Sequence, residues 1–467
     1  MALRLGIKVL FCFLIVLFFV LPAPSQTSEV SWPLGGASDW SGGTFIDTTF
    51  SPNPEALLLA KGLHLLWGVR YDRSPVDVAR AVAIDSQDNV IVTGSCRLGR
   101  DRFCTVKYGP DGRVLWTREY GRGTTERASG VAVDSQDNVI VVGYSVTSGY
   151  IYHLIKYDPA GRELWSRVHG GGEFGGALAL AVGPGDEIVV TGLANSDLYL
   201  LKYGPAGRLL WRKRLDCGGT EETAAVDIDS RGNIVVAGGS NRNRRSGADG
   251  DYCIVKLDPQ GNMLWERDYD SGGSDVAQGV AIDYRDNVIV TGYSERSGDY
   301  DFLTLKLDPQ GRELWARRLD RGGRDLAMAV AVDRAANVIV AGRADRGSDQ
   351  DIYTVKYDSQ GRLLWETAYD CSAKEAAYGV AADSQGSVLV AGTSLGDYQL
   401  LKYSDGYLPQ GSYASPIHPF DGWARLRRME AEAELQGQEI LAEIETSDDR
   451  FATVKRTARL ALGEGRR

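Results

Sequence analysis

A seven-fold repeat with a period near fifty residues constrains the fold of this chain more than any other feature. A Leu-Trp pair recurs seven times, with its tryptophan at Trp67, Trp116, Trp165, Trp211, Trp265, Trp315 and Trp365. A glycine closes one apolar run of each repeat, at Gly94, Gly143, Gly192, Gly238, Gly292, Gly342 and Gly392. A lysine closes another, at Lys107, Lys156, Lys202, Lys256, Lys306, Lys356 and Lys402. A fixed period of this length is typical of propellers and other repeat arrays.

The spacings within the repeat show where its length varies. Eighteen residues separate each tryptophan from a turn position, which is aspartate in six repeats: Asp85, Asp134, Asp229, Asp283, Asp333 and Asp383. The glycine follows nine residues after that position in every repeat, and a tryptophan follows nine residues after the lysine in the six repeats where one is present. Only the distance from glycine to lysine varies, between 10 and 18 residues. Insertions are therefore confined to the connection between the second and third apolar segments.

Each repeat is predicted to form four short strands. In the second repeat they are 130–134, 139–143, a segment ending at Tyr157 and a segment centred on Trp165, all rich in β-branched or aromatic residues. Asp, Asn, Pro and Gly between these segments are typical of tight hairpin turns. Seven four-stranded units predict an all-β fold, a seven-bladed β-propeller.

The two ends of the repeat array complement each other. No tryptophan strand follows Lys402, whereas Leu63 to Trp67 forms a fourth strand that precedes any first strand. We expect this N-terminal strand to complete the last blade and close the ring, which leaves few strand edges open. The predicted domains are a signal peptide at 1–25, an extended lead-in at 26–60, the propeller at 61–408, and a linker with a helical tail at 409–467.

The helical prediction for the tail rests on its composition and spacing. From Asp421 onward the chain is rich in Ala, Glu, Arg and Leu. Apolar residues at Leu426, Met429, Ala433, Ile440 and Ile444 suggest steps of three and four residues, with Gly437 as an interruption. Such a tail could mediate self-association, dock on the propeller or engage a partner, and a partly ordered appendage is the alternative.

The N-terminus predicts export. Arg4 and Lys8 precede an apolar run from Val9 to Leu21, and Ala23 and Ser25 suit a signal peptidase site after Ser25. The run is too short for a ~30 Å hydrocarbon core, and an uncleaved anchor is the alternative. No later run approaches about 20 apolar residues, so we expect no membrane span in the mature chain and a secreted, periplasmic or cell-surface location.

Charge and histidine content narrow the classes of function. The 52 basic and 62 acidic residues give a net charge of -10, which disfavours nucleic acid as a partner. The four histidines are scattered, and the sequence contains no Gly-x-Ser-x-Gly nucleophile elbow and no phosphate-binding glycine loop before a helix. The sequence therefore favours a protein without enzymatic activity. The alternative is a propeller-fold lyase or hydrolase that uses carboxylates as acids and bases.

Two repeated sets of carboxylates are the main candidate binding residues. The first set lies at the predicted start of the first strand: Asp77, Glu126, Glu221, Asp275, Asp325 and Glu375. The second precedes the third strand: Asp101, Asp197, Asp251, Asp301, Asp351 and Asp397. Carboxylates at a channel mouth could hold a hard cation such as Ca²⁺, although no complete calcium-binding loop is present. The alternative is that each carboxylate accepts hydrogen bonds within its own turn. No other cofactor is predicted.

The longest variable loop and the cysteines add two further predictions. Ser240 to Gly250 contains a basic island that could bind a carboxylate or sulfate group, with a solvated loop as the alternative; it consists of Arg242, Arg244 and Arg245. Cys96 and Cys104 flank one loop between adjacent predicted strands, so their α-carbons could approach to about 6 Å and form a disulfide. The repeated tryptophans are predicted to pack between blades rather than to stack on carbohydrate.

The repeat resembles a known family. Ala-Val-Asp-Ser-Gln-Asp-Asn-Val-Ile-Val-Val-Gly at 132–143 and Leu-Ile-Lys-Tyr-Asp-Pro-Ala-Gly-Arg-Glu-Leu-Trp at 154–165 look like the SBBP-type β-propeller repeat of bacterial secreted and surface proteins. The resemblance covers about three quarters of the chain and implies a propeller and an exported location, but it supplies no catalytic residues. The third repeat departs from the pattern at 183–187, so we expect that blade to be locally irregular.

Taken together, these features predict an exported binding or scaffold module. Variable loops on one face of a rigid scaffold are the usual place for recognition. We therefore expect the connections between the second and third strands to bind a protein or glycan partner at the cell envelope.

Overall fold

The computed structural model describes the propeller repeats and part of the tail. The described residues are 63–72, 76–97, 100–121, 125–146, 150–170, 177–194, 197–218, 225–240, 250–296, 298–346, 349–370, 374–405, 412–413, 425–433, 439–448 and 451–461. The predicted signal peptide and lead-in, together with Glu221, Arg242, Arg244 and Arg245, lie outside them. The chain divides into two compact units, Leu65–Tyr403 and the combined segments Met1–His64 and Ser404–Arg467.

The propeller contains seven antiparallel four-stranded sheets. The N-terminal strand is β1 (His64–Tyr71). Blades 1 to 3 comprise β2 (Asp77–Ile84), β3 (Val90–Arg97), β4 (Asp101–Tyr108) and β5 (Val114–Tyr120); β6 (Thr125–Val133), β7 (Val139–Val146), β8 (Tyr150–Tyr157) and β9 (Glu163–Gly170); and β10 (Ala177–Val182), β11 (Ile188–Ala194), β12 (Asp197–Tyr203) and β13 (Leu209–Leu215).

Blades 4 to 7 continue the same order. They comprise β14 (Ala225–Ile228), β15 (Ile234–Ser240), β16 (Asp251–Leu257) and β17 (Met263–Tyr269); β18 (Asp275–Ile282), β19 (Val288–Arg296), β20 (Asp299–Leu307) and β21 (Glu313–Leu319); β22 (Asp325–Val332), β23 (Val338–Arg346), β24 (Asp349–Tyr357) and β25 (Leu363–Tyr369); and β26 (Ala376–Ala382), β27 (Val388–Ser394) and β28 (Asp397–Ser404). The first strands of neighbouring blades adjoin one another around the whole ring. The predicted seven-bladed propeller is therefore confirmed.

The N-terminal strand closes the ring as predicted. The last sheet has the order β1-β28-β27-β26, so the fourth strand of blade 7 comes from the opposite end of the propeller sequence. Side chains also bridge the closure: Trp67 Nε1 donates to the Pro110 carbonyl at 3.1 Å, and Ser384 Oγ donates to Asp88 at 2.6 Å. The first and last blades are thus joined by backbone and side-chain hydrogen bonds.

The core lies between blades rather than inside one sheet. One cluster joins Ile140 and Leu154 of blade 2 to Ile188 and Leu201 of blade 3. Two sheet faces supply each such cluster, as in other sheet-on-sheet packing. Second and third strands contribute most of the buried side chains because both of their faces meet a neighbouring blade.

The connections separate onto two faces of the ring. Because the four strands of a blade alternate in direction, the hairpin turns after the first and third strands share one face, here called the turn face. The connections from second to third strand and from each blade to the next share the other face, here called the loop face. All the length variation in the repeat therefore falls on the loop face.

The turn after the first strand explains why aspartate and asparagine recur four residues apart. The Asp85 carboxylate accepts hydrogen bonds from the backbone N–H groups of Gln87 and Asn89, both at 2.9 Å, and from Asn89 Nδ2 at 2.9 Å. Asp88 has φ of 59°, a left-handed conformation that aspartate adopts more readily than most residues. The aspartate side chain thus holds the turn from within.

Blade 3 keeps this turn without the aspartate. Gly183 N donates to the Glu187 carbonyl at 2.8 Å, and Asp186 has φ of 60°, as in the other turns. The expectation of an irregular third blade is wrong for its described residues. The backbone hydrogen bonds of the hairpin suffice, because they do not depend on the side chain at the first position.

The repeated glycine lies opposite a bulge in the first strand. In blade 1 the register between β2 and β3 shifts between Ala79 and Ala81. A Cβ atom at Gly94 would lie 1.9 Å from the Val78 carbonyl oxygen, and other blades repeat this close approach. Only glycine fits there, because any side chain would push the two strands apart.

The described tail contains strands where a helix was predicted. β29 (Ser412–Tyr413), β30 (Arg425–Ala433), β31 (Glu439–Asp448) and β32 (Phe451–Ala461) form an antiparallel sheet in that order. Apolar residues pair across it as Met429–Ile444, Ala431–Ala442 and Ala433–Ile440. The helical prediction is wrong for these residues: Met429, Ala431 and Ala433 alternate along β30, as residues on one face of a strand do. Among the described residues, no helix is long and apolar enough to cross a bilayer.

Candidate functional site

The repeated lysine and aspartate form a buried ion pair in six of the seven blades. The Nζ–Oδ2 distances are 2.7 Å for Lys107–Asp85, 2.6 Å for Lys156–Asp134, 2.8 Å for Lys256–Asp229, 2.9 Å for Lys306–Asp283, 3.0 Å for Lys356–Asp333 and 2.9 Å for Lys402–Asp383. In blade 3, Lys202 faces Glu187 at 3.8 Å instead. Burial alone would raise the pKa of Asp85, but hydrogen bonds from Lys107 and Asn89 outweigh it and hold the pKa below its usual value.

The same lysine and the repeated tryptophan connect each blade to the next. Lys107 Nζ and Trp116 Nε1 both donate to the Pro159 carbonyl, at 3.3 and 3.0 Å. The Trp116 ring lies so close to Gly161 in that turn that a Cβ there would be 2.9 Å from it. The tryptophans thus act between blades, as the sequence predicted. The turn face is consequently fixed by repeated hydrogen bonds and is a poor place for adaptable recognition.

On the loop face, the first-strand carboxylates are buried. The five described members are each at most 1% exposed: Asp77, Glu126, Asp275, Asp325 and Glu375. Asp275 accepts hydrogen bonds from Ser271 N and Oγ, at 2.6 and 2.7 Å, within its own inter-blade loop. Asp325 accepts one from Arg321 N at 2.6 Å in the same way. These carboxylates are therefore buried where the first strands begin rather than exposed to solvent.

Three of the third-strand carboxylates pair with an arginine on the outermost strand of the same blade. Asp397 pairs with Arg70, Asp197 with Arg214, and Asp301 with Arg318. Each arginine lies three residues after the repeated tryptophan. The same position is Asp268 in blade 4 and Ala368 in blade 6.

Carboxylates from two connections converge on the loop face in four blades. In each group the ligand atoms lie within 4.8 Å of one another: Asp251, Asp270 and Asp275; Asp299, Asp301 and Asp320; Asp349, Asp351 and Asp370; and Asp72, Asp77 and Asp397. Burial, with repulsion from Asp301 and Asp299, raises the pKa of Asp325 beside the second group to about 6. The sequence predicted one or two members of each group but not the aspartate that ends the fourth strand. The recurrence of that aspartate after the tryptophan strand was the signal for it.

Two disulfide bonds are present among the described residues. Cys96 and Cys104, the pair expected from the sequence, are bonded between β3 and β4 with a Cα–Cα distance of 5.8 Å. Cys217 and Cys253 are also bonded, with a Cα–Cα distance of 6.3 Å. This second bridge joins blade 3 to blade 4, and the sequence separation of 36 between its cysteines gave no signal for it.

One serine and one histidine come within hydrogen-bonding distance. Ser145 Oγ lies 2.9 Å from His153 Nε2, and the Tyr120 hydroxyl lies 3.3 Å from His153 Nδ1. Both Ser145 and His153 are only 4% exposed. The pair therefore fills the interior of blade 2, and its geometry does not suit attack on a substrate.

An exposed row of leucines encircles the propeller on its outermost strands. Each lies directly before the repeated tryptophan and is 49% to 54% exposed: Leu115, Leu164, Leu210, Leu264, Leu314 and Leu364. We name these residues the leucine belt. These leucines were predicted only as part of the Leu-Trp pair, although neighbouring residues of a strand point to opposite faces. Repeated exposed apolar residues are a second candidate surface for protein contacts.

A single aspartate in the first strands was also missed. Asp227 occupies a position that is alanine in the other six blades. Its carboxylate accepts hydrogen bonds from Ile228 N and from Ile282 N of blade 5, both at 2.8 Å. Burial raises the pKa of Asp227 to about 6, against the effect of these two hydrogen bonds.

Asp227→Ala is expected to remove one component of the pH dependence of stability. The folded-state pKa of about 6 exceeds the unfolded value of 3.8, so this group stabilises the fold at low pH and loses that effect as the pH rises towards 6. The shift corresponds to about 2–3 kcal/mol. In urea unfolding, the free energy of unfolding of the variant should therefore rise by that amount relative to the wild type as the pH increases from 4 to 7. A constant difference across the range would contradict the raised pKa.

The fold and its contacts define this chain as a β-propeller repeat protein. A family model described as outer membrane protein assembly factor BamB matches residues 152–360. No curated protein matches the chain.

Solved propeller structures resemble the chain at low sequence identity. The WD40 domain of Pan2 from Neurospora crassa is 13% identical, with 73% of this chain and 96% of that one covered and a TM-score of 0.52. A gluconolactonase from Xanthomonas campestris is 14% identical, with coverage of 75% and 92% and a TM-score of 0.39. At such identities the likeness concerns the fold alone.

Proposed function

We propose that this chain is an exported SBBP-type β-propeller that binds a protein partner at the cell envelope through its loop face. The observation that carries the proposal is the contrast between the two faces. The turn face repeats the same hydrogen bonds from blade to blade, whereas all changes in length occur on the loop face. A rigid ring that presents variable loops is a common arrangement for recognition.

The burial of the first-strand carboxylates on the loop face favours a binding function over a catalytic one. A general acid or base must reach the substrate, and the five described first-strand carboxylates are at most 1% exposed. The match to a family described by its role in outer membrane assembly supports an envelope location. The predicted signal peptide supports export in the same way.

The proposal is tested by replacing the longest loop on this face. Blade 4 joins Ser240 to Asp251, and blade 7 joins the equivalent Ser394 and Asp397 through only Leu395 and Gly396. Substituting Leu-Gly for 241–250 should thus preserve the strand register. Residues 26–467 and this variant are used to capture partners from envelope extract, and the purified partner is then titrated against both proteins. We expect the variant to bind at least about tenfold more weakly, about 1.4 kcal/mol.

A matched variant on the leucine belt serves as the control. Leu264→Ser with Leu314→Ser changes two exposed side chains on the outer strands, away from the loop face. This variant should bind the partner as the wild type does. Loss of binding in the belt variant alone, capture of a glycan rather than a protein, or equal binding by all three proteins would overturn the proposal.

A further inference from the structure

We propose that Asp299, Asp301, Asp320 and Asp325 form a binding site for a hard divalent cation of the size of Ca²⁺ on the loop face between blades 5 and 6. The site is independent of which partner the loop face binds. It draws on the start of β20, the loop after β21 and the first residue of β22.

The spacing of the oxygens suits one ion. Ligand oxygens of Asp299, Asp301 and Asp320 lie within 4.8 Å of one another. Calcium binds oxygen at about 2.3–2.6 Å, so oxygens on opposite sides of one ion are about 4.6–5.2 Å apart. All three carboxylates can therefore reach a single calcium ion without rearrangement of the backbone.

Two buried oxygens at this place lack a hydrogen-bond donor. Asp301 Oδ1 and Asp325 Oδ1 are inaccessible to solvent and accept no hydrogen bond, although their residues are only 3% and 1% exposed. A buried carboxylate oxygen normally accepts at least one hydrogen bond, and leaving it without one is costly. A cation coordinated by Oδ1 of Asp301, which belongs to the group of three carboxylates, supplies the missing interaction there. Asp325 lies close enough to this group for its carboxylate to be repelled by all three.

The opposite oxygens of the same carboxylates are already held by protein groups. Asp301 Oδ2 accepts hydrogen bonds from Arg318, and Asp325 Oδ2 accepts one from Arg321 N. Such outer contacts orient metal-ligating carboxylates in known sites. The unpaired oxygens are thus the ones left for a ligand.

The remaining two carboxylates are oriented by backbone donors. Gly322 N donates to Asp320 Oδ1 at 2.8 Å, and Tyr300 N donates to Asp299 Oδ1 at 2.9 Å. Four carboxylates against the single charge of Arg318 leave a net charge of about -3 at the site when all are ionised. A divalent cation offsets most of that charge, and carboxylate oxygens are ligands that calcium prefers.

The experiment measures calcium binding to residues 26–467 by calorimetric titration in chelator-treated buffer. Asp299→Asn and Asp320→Asn are made separately, so that a failure of one variant to fold leaves the other available. We expect the wild type to bind Ca²⁺, and each variant to lose one equivalent per chain or to bind that equivalent at least about tenfold more weakly. The related carboxylate groups of the other blades remain intact in both variants.

Asp216→Asn is the matched control in blade 3. Asp216 directly follows the fourth strand, as Asp320 does in blade 5, and its carboxylate accepts a hydrogen bond from Gly218 N at 2.8 Å, as Asp320 does from Gly322. Asp216 belongs to no carboxylate group among the described residues. This variant should titrate as the wild type does. Absence of calcium binding to the wild type, unchanged binding in both test variants, or an equal loss in the control overturns the proposal.

Discussion

A chain that lacks β1 is expected to lose most of its folding stability. Deleting residues up to Tyr71 removes the fourth strand of blade 7 and leaves β28 as an open edge. Tyr398 and Leu400 on that strand, each 2% exposed in the closed ring, would then meet solvent. Losing the backbone hydrogen bonds and the Trp67 contact should lower the free energy of unfolding by more than about 5 kcal/mol. That decrease is comparable to the whole stability of many domains.

Urea unfolding followed by tryptophan fluorescence measures this effect, with size-exclusion chromatography to detect association through the open edge. The control is a chain that begins at Lys61 and retains β1. A second control transfers 65–72 to follow Tyr403 through a copy of the blade 6 turn, Asp358 to Arg362. This rearranged chain should recover the stability, because it restores the fourth strand in the place it occupies in other blades. An unchanged midpoint in the truncated chain would show that ring closure contributes little.

The closure was readable from the sequence because the repeat fixes most interactions locally. Trp67 lies eighteen residues before Asp85, as each of the other six repeated tryptophans does before its turn, so the N-terminal strand could be assigned to a blade. The Asp-x-x-x-Asn turns and the bulge opposite Gly94 also depend on residues close together in the chain. Such local features recur once in each repeat and can therefore be predicted from the sequence.

Features that join distant segments were not readable in the same way. Asp299 and Asp320 meet only because β20 and β21 bring their outer ends together at one face. The Cys217–Cys253 disulfide likewise depends on the packing of blade 3 against blade 4. In the tail, counting apolar residues across Ala433 and Ile440 joined two separate strands into one apparent helical stripe. The spacing of apolar residues alone does not distinguish one helix from two strands, because it does not show where the chain reverses direction.

Lys306→Met is expected to destabilise the propeller by about 3–5 kcal/mol, the usual cost of removing one partner of a buried ion pair. Lys306 and Asp283 are almost fully buried, and Nζ lies 2.9 Å from Oδ2. The same ammonium group donates to the Ser359 carbonyl of the next blade at 3.4 Å. The variant therefore leaves a buried carboxylate with fewer donors and also weakens one contact between blades.

Lys202→Met is the matched control, because blade 3 has a weaker version of the pair. Lys202 Nζ lies 3.8 Å from Glu187 Oε1, and the Glu187 side chain is 35% exposed. Lys202→Met should lower the free energy of unfolding by about 1–2 kcal/mol, mainly because the hydrogen bond to the Pro259 carbonyl is lost. Equal losses in the two variants would indicate that the ion pair itself contributes little.

The pH dependence separates the charge interaction from simple packing. Burial alone would raise the pKa of Asp283, but hydrogen bonds from Asn287 and Lys306 hold it below its usual value of 3.8. A lowered folded-state pKa stabilises the protein above the unfolded pKa, and that effect is lost as the pH falls through the folded value. The difference between wild type and Lys306→Met should therefore shrink between pH 7 and pH 3 in urea unfolding. A loss caused by packing alone would stay constant, because the number of protons bound on unfolding would be the same in both proteins.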